Sequence, residues 1–194
     1  MRPTNPYEQL YVKLQFERSG LFKLVRKLLR IKSAFYPCCS FHITPSFFFE
    51  TVYYADKSDT VADFFAKEET VNEIIQSRSE VSKTNWGFFQ LNLEDSLDEI
   101  PEVDLVIALN GGNVLKNAFE KAKKEGYVLT SSEFSGEGFI KGDARFGHLL
   151  NIGFQSGEYR TLKEDRKKEK KVKAFTKDNV FRDTLEYSLY QRLH

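Results

Sequence analysis

The chain has 194 residues, 41% apolar, 29% charged and 14% aromatic, with 18 Phe and 9 Tyr. That is enough chain for one domain with a buried core that needs neither disulfides nor metal, and the composition excludes a disordered polymer. The formal net charge of +1 conceals an asymmetry: residues 1–32 carry eight Lys/Arg against two acids, residues 160–173 eight against three, and residues 33–159 ten against twenty. An acidic body with two basic flanks results. The flanks either meet an anion, such as nucleic acid or a membrane surface, or fold against the body. No apolar run approaches the ~18 residues of a transmembrane helix. The two cysteines, Cys38 and Cys39, are adjacent, a spacing unsuited to a structural disulfide. No signal-peptide pattern opens the sequence, so a reducing cytoplasm is the expected location.

Residues 7–31 read as a helical flank. Leu21, Leu24, Val25, Leu28 and Leu29 recur at helical spacing, while Lys23, Arg26, Lys27 and Arg30 fill the opposite face. Such a helix lies on a membrane or docks its apolar stripe on its own domain; docking is the commoner outcome. Ser33–Cys38 predicts a strand. Ile43–Phe49 predicts a short helix, with Thr44 as N-cap and Pro45 in the first helical position. Thr51–Ala55 predicts a strand closed by Asp56, and Ser58–Gln76 a helix lined by Val61, Phe64, Phe65, Val71, Ile74 and Ile75.

Trp86–Leu93 is the next predicted strand, and Val103–Leu109 has the continuous apolar run of a buried parallel strand. Gly111-Gly112 breaks it. Asn113–Glu125 predicts a helix ended by Gly126, followed by a strand at Tyr127–Ser131. Residues 132–147 predict a flexible loop. His148–Phe154 and Tyr159–Leu162, split by Ser156-Gly157, predict an antiparallel hairpin at the sheet edge. Lys163–Lys173 reads as a solvated helix or linker, and Val180–Leu193 as an amphipathic helix through Phe181, Leu185, Leu189 and Leu193. The expected organisation is a basic helical flank (1–32), an α/β body (33–162), and a charged linker with a C-terminal helix (163–194). Strands alternating with helices indicate parallel βαβ units. The predicted fold is therefore α/β, a Rossmann-like, mostly parallel sheet with helices on both faces and an antiparallel C-terminal hairpin.

Open parallel sheets bind ligands beyond the carboxyl ends of their strands. The segments found there are Pro37-Cys38-Cys39-Ser40, Asp56, Asn92 with Glu94 and Asp95, Asn110-Gly111-Gly112, and Ser131-Ser132-Glu133. In order and spacing, residues 33–162 resemble the Rossmann-like class I S-adenosylmethionine-dependent methyltransferases. The matching features are the first strand and turn at 34–40, the acid Asp56, the polar strand end at Asn92, and Pro101-Glu102-Val103-Asp104-Leu105-Val106-Ile107 before the Asn110 turn. The resemblance implies S-adenosylmethionine as cofactor. Asp56 would hold the ribose hydroxyls, and Asn92, with Asp95 next, would face the adenine. Pro37, Cys38, Cys39 and Ser40 would face the amino-acid part, with Asn110 and Gly111 beside the transferring methyl. Glu133 and residues 134–147 would shape the acceptor side. Methyl transfer asks mainly for positioning, which suits a sequence with few catalytic-looking residues.

The family's first loop is Gly-rich, whereas this one reads Cys38-Cys39-Ser40, and no glycine lies between Gly20 and Gly87. The Asn-Pro-Pro-Tyr type turn of amino-group methyltransferases is also absent. Two functions follow: a methyltransferase of unnamed acceptor, or a catalytically degenerate relative that binds a ligand or partner. A small-molecule ligand suits either, and nucleic acid would meet the basic flanks, although no helix-turn-helix, zinc-finger or ribonucleoprotein motif accompanies them. The bland roles of the same residues are clear. Asp56 caps a turn; Cys38 and Cys39 fill small spaces; His148 is structural. An activated Cys39 thiolate partnered by His42 is the sharper alternative. A metal site on Cys38, Cys39 and His42 lacks a fourth ligand, so none is expected.

Overall fold

The structure of the protein is a computed structural model, which describes residues 5–131, 137–162 and 185–194. The strands are β1 (Ser33–Pro37), β2 (Thr51–Asp56), β3 (Asn85–Gln90), β4 (Val103–Ala108), β5 (Ala122–Ser131), β6 (Phe146–Gln155), β7 (Glu158–Leu162) and β8 (Glu186–Arg192). They form one sheet in the order β3-β2-β1-β4-β5-β8-β6-β7. The first five positions are parallel. β8 runs antiparallel to both β5 and β6, and β6 and β7 form an antiparallel hairpin. The helices are α1 (Ser19–Leu28), α2 (Asp59–Phe65), α3 (Glu68–Arg78) and α4 (Glu137–Lys141), with a π-helical turn at Glu8–Val12 and 3-10 helices at Thr44–Phe47 and Gly112–Lys121. This is the expected α/β class, with its mostly parallel sheet and antiparallel C-terminal end.

Period-two alternation divides each central strand between two cores. On one face lie Ala34, Tyr36, Val52, Tyr54, Leu105 and Ile107, under Leu21, Phe22 and Val25 of α1, Val61, Phe64 and Phe65 of α2, and Val71 and Ile75 of α3. On the other lie Phe35, Ala55, Val106 and Ala108, under Leu115, Ala118 and Phe119, Ile140 of α4, and the segment with Leu93, Leu97 and Ile100. The basic flank therefore docks on its own sheet. Phe22 joins its buried stripe, whereas Leu28 is 41% exposed.

Four expectations are corrected. The helix expected over Asn113–Glu125 is a 3-10 helix to Lys121, after which β5 has already begun. Gly126 does not end a helix. It sits in a bulged stretch of β5 beside Glu125 at φ 63, and a Cβ there would lie 2.8 Å from the Lys123 carbonyl oxygen; glycine serves the backbone's close approach. The helix expected over 58–76 is two helices, broken where Lys67 takes φ −85 and ψ 60. Within the expected loop 132–147, residues 137–141 form α4, and 132–136 lie outside the described residues.

The largest correction concerns the C-terminal helix expected over 180–193. Residues 186–192 are β8, and 180–184 lie outside the described residues. The reason is arithmetic: Leu185, Leu189 and Leu193 recur every four residues, which places them on one side of a strand as well as one side of a helix. Tyr187 and Leu189 enter the first core and Tyr190 the second, as a strand requires. The sheet therefore extends past the boundary expected at residue 162, with β8 inserted between β5 and the hairpin.

Candidate functional site

The order β2-β1-β4 places the loops after these strands side by side, at the point where chain connections diverge and α/β sheets bind ligands. The loop after β1 keeps a demanding backbone course without glycine: Cys38 has φ 50 and Ser40 φ 51. Left-handed residues with a Cβ cost about 1–2 kcal/mol each. Contacts on every side offset this. The Cys39 amide donates to the Ala55 carbonyl at 3.3 Å and the Ser40 amide to Asp56 Oδ2 at 3.0 Å. Asp56 Oδ1 accepts from the Ser58 amide at 3.0 Å, so its carboxylate pins the β1 loop to the start of α2. The Tyr11 side chain lies beside Ser40, bringing the N-terminal segment to the same loop.

Cys38 bridges to the β4 turn. Gly111 stands at φ +118, and a Cβ on it would lie 2.8 Å from Cys38 Sγ and 3.1 Å from Leu115 Cγ. The structure thus brings together Cys38, Cys39, Ser40, Asp56 and Gly111, with Pro37 at the end of β1 and Asn110 at the start of the β4 turn. Asn92 lies beyond β3 and serves a local turn, accepting the Asp95 amide on its carbonyl at 3.0 Å. Burial, with the nearby Asp56 charge, pushes the Cys38 thiol up to about 11, and burial pushes the Cys39 thiol up as well. Both are thiols near neutral pH. Cys39 Sγ donates to the Ser40 carbonyl at 3.3 Å.

His42 is directed elsewhere. Its Nε2 lies 2.9 Å from the Glu17 carbonyl, which can only accept, so Nε2 carries the proton and Nδ1 accepts from the Tyr36 hydroxyl at 3.0 Å. The ring stacks on Tyr11 at 4.4 Å, with Phe16, Phe22 and Tyr36 around it. Burial, then the Arg18 charge, lowers its pKa to about 3. It is a neutral structural histidine, and the Cys39–His42 pair does not form. The Glu17 carboxylate accepts from the Tyr7 hydroxyl and pairs with Arg78, fastening the segment before α1 to α3.

A second polar group lies on the antiparallel part of the sheet. Ser188 Oγ donates to Glu137 Oε1 at 2.5 Å, Tyr190 donates to the same oxygen at 3.3 Å, and Asn151 sits between Ser188 and His148 at 3.0 and 2.9 Å. Sequence reading missed it because it placed Ser188 and Tyr190 on a helix. Three open clefts, of about 490, 530 and 220 Å³, lie beside β3, between the 112–121 helix and α4, and beside Arg18. None of the three is lined by residues 37–40, Asp56, Asn92, Asn110 or Gly111. Among the described residues no three His, Cys, Asp or Glu side chains cluster to hold a metal. No helix among them is long and apolar enough to cross a membrane.

No family model matches the chain, and no curated protein matches it in sequence. Solved structures do match in shape. A candidate O-methyltransferase from Klebsiella pneumoniae aligns with TM-score 0.56 at 10% identity, over 100% of this chain and 93% of the other. An rRNA methylase from Streptococcus thermophilus aligns with TM-score 0.53 at 12% identity, over 90% and 95%. The N-methyltransferase NodS from Bradyrhizobium japonicum aligns with TM-score 0.51 at 8% identity, over 94% and 98%. The chain has the class I S-adenosylmethionine-dependent methyltransferase fold. At these identities the likeness is one of fold.

Proposed function

We propose that the chain uses the methyltransferase fold as a binding scaffold without methyl transfer, its cofactor cradle closed by its own side chains. The observation that carries this reading is the Cys38 thiol lying against Gly111, across the divide between β1 and β4 where a bound nucleoside thioether would have to pass. Three features support it. Asp56 spends an oxygen on each of two backbone amides. Tyr11 covers Ser40. Between β1 and β2 the only helix is the short 3-10 turn Thr44–Phe47, too brief to present an N-terminus to the cofactor's carboxylate. Together they argue against S-adenosylmethionine as the ligand. Binding of another small molecule or of a macromolecular partner remains. Nucleic acid is the weaker candidate, since Lys23 and Arg26 of α1 already bond Glu80.

One observation favours the alternative, an S-adenosylmethionine-dependent methyltransferase of unnamed acceptor. Cys38 and Ser40 keep positive φ, the backbone course of a glycine loop. In that reading Asp56 is pre-oriented by its amides to meet ribose hydroxyls with its remaining lone pairs, residues 37–40 meet the amino-acid part, and Asn110 orients the acceptor. Thermal unfolding with S-adenosylmethionine or S-adenosylhomocysteine separates the two. A ligand present at 100 times its Kd stabilises by about 2.7 kcal/mol and raises the Tm of a domain this size by about 5–10 °C. The scaffold reading expects no shift with millimolar ligand. A shift of that size overturns it.

A further inference from the structure

The two outer strands of the sheet are built differently. β7 at one end carries Glu158 and Arg160, ion-paired with each other at 3.1 Å. Charges of this kind guard an open edge. β3 at the other end reads Asn85-Trp86-Gly87-Phe88-Phe89-Gln90, with no charge, no proline and, in its register with β2, no bulge. No described strand covers its outer side. In a chain that is 29% charged, an open, neutral, aromatic edge is a template for another strand.

We propose that β3 pairs antiparallel with β3 of a second copy of this chain, joining two sheets across a two-fold axis through Gly87. This goes beyond the proposed scaffold function and does not rest on it. The hydrogen-bonding parity fits. The Asn85 amide donates to the Glu50 carbonyl and the Leu91 amide to the Asp56 carbonyl, so odd-numbered amides face β2 and those of Trp86, Phe88 and Gln90 face outward. An antiparallel pair centred on Gly87 sets Trp86 opposite the other copy's Phe88, twice. Both are outward-bonding residues, as the ladder demands.

Side chains fit the same register. Trp86 and Phe88 share one face, beside a cleft of about 490 Å³ walled by Ala62, Phe65 and Ala66. The two-fold brings the other copy's aromatic rings to its mouth, and aromatic cross-strand pairs are stabilising. Gly87 meets Gly87 in the closer, non-hydrogen-bonded pair. Charge is complementary as well. The exposed Lys83 precedes the strand, and the exposed Glu94 and Asp95 follow it, so the basic start of each strand runs toward the acidic end of the other.

The test is the mass of the full chain by sedimentation equilibrium across micromolar concentrations, for the parent, Gly87→Lys and Gly87→Cys. A Cβ at position 87 meets Tyr53 Cδ1 at 3.5 Å, an ordinary contact, so these variants should keep the fold, with circular dichroism as the check. We expect twice the chain mass for the parent. Gly87→Lys, which sets two like charges at the axis, should weaken association at least about tenfold. Mild oxidation should join Gly87→Cys copies covalently, since the predicted Cα separation of about 4.5 Å suits a disulfide. Asn85→Cys should not cross-link above the background of the parent's own cysteines. A parent that stays monomeric throughout overturns the proposal, whether or not some other strand binds this edge. A dimer indifferent to Gly87→Lys, or equal cross-linking at positions 85 and 87, also overturns it.

Discussion

His42 shows how a single buried group sets a pH limit. Its imidazole is held neutral at about 3 in the fold, against about 6.5 when unfolded. The stability this provides is complete above about pH 6.5 and falls as pH drops, by up to about 1.4 kcal/mol per unit, until about pH 3. At pH 5 the loss from this group is about 2 kcal/mol. Urea unfolding at pH 7 and pH 5 should show it, and His42→Phe, though less stable because Tyr36 and the Glu17 carbonyl lose their partner, should flatten the dependence. Equal pH slopes in parent and variant would refute this role. The Cys38–Gly111 contact makes a separate prediction. Gly111→Ala should destabilise by at least about 1–2 kcal/mol, because it adds a Cβ at positive φ and against the thiol. In a Cys38→Ala background the clash with the thiol should vanish while the close approach to Leu115 remains, giving a coupling of about 0.5 kcal/mol or more in a double-mutant cycle. Additive effects would mean the thiol does not press on the turn.

At the scale of elements, β8 is the informative case. Leu189 is fully buried between β5 and β6, while Leu193 is 44% exposed. Leu189→Ala should cost about 2–5 kcal/mol and Leu193→Ala no more than about 0.5 kcal/mol. Similar losses at Leu185, Leu189 and Leu193, measured by urea unfolding, would instead fit a helix docked on one face. The parallel strands were legible because long apolar runs such as Val103–Leu109 and the acid-closed strand at Thr51–Asp56 have one reading. β8 was not, because four-residue spacing suits both periods. Nor was the start of β5, where Lys123, Lys124 and Glu125 look like a helical surface but form a bulged strand, its register fixed by Val103 and Leu105 of β4.

At the scale of the whole molecule, one sheet buries two cores, and its first core is roofed by the basic N-terminal flank as well as by α2 and α3. The segments that the strand-end rule singled out in the sequence, the 37–40 loop, Asp56 and the Gly111 turn, do converge in space. What fills that neighbourhood was hidden from sequence. Cys38 meets Gly111 across 73 positions of chain, and Tyr11 reaches Ser40 from a flank that looked separate from the body. The central claim is that these contacts close the cofactor cradle. Calorimetric titration of the full chain with S-adenosylhomocysteine, beside Asp56→Ala, tests it most directly. The closed cradle predicts no saturable heat with millimolar ligand for either protein. Saturable binding at micromolar concentration by the parent, lost in Asp56→Ala, would contradict the claim and establish the methyltransferase site.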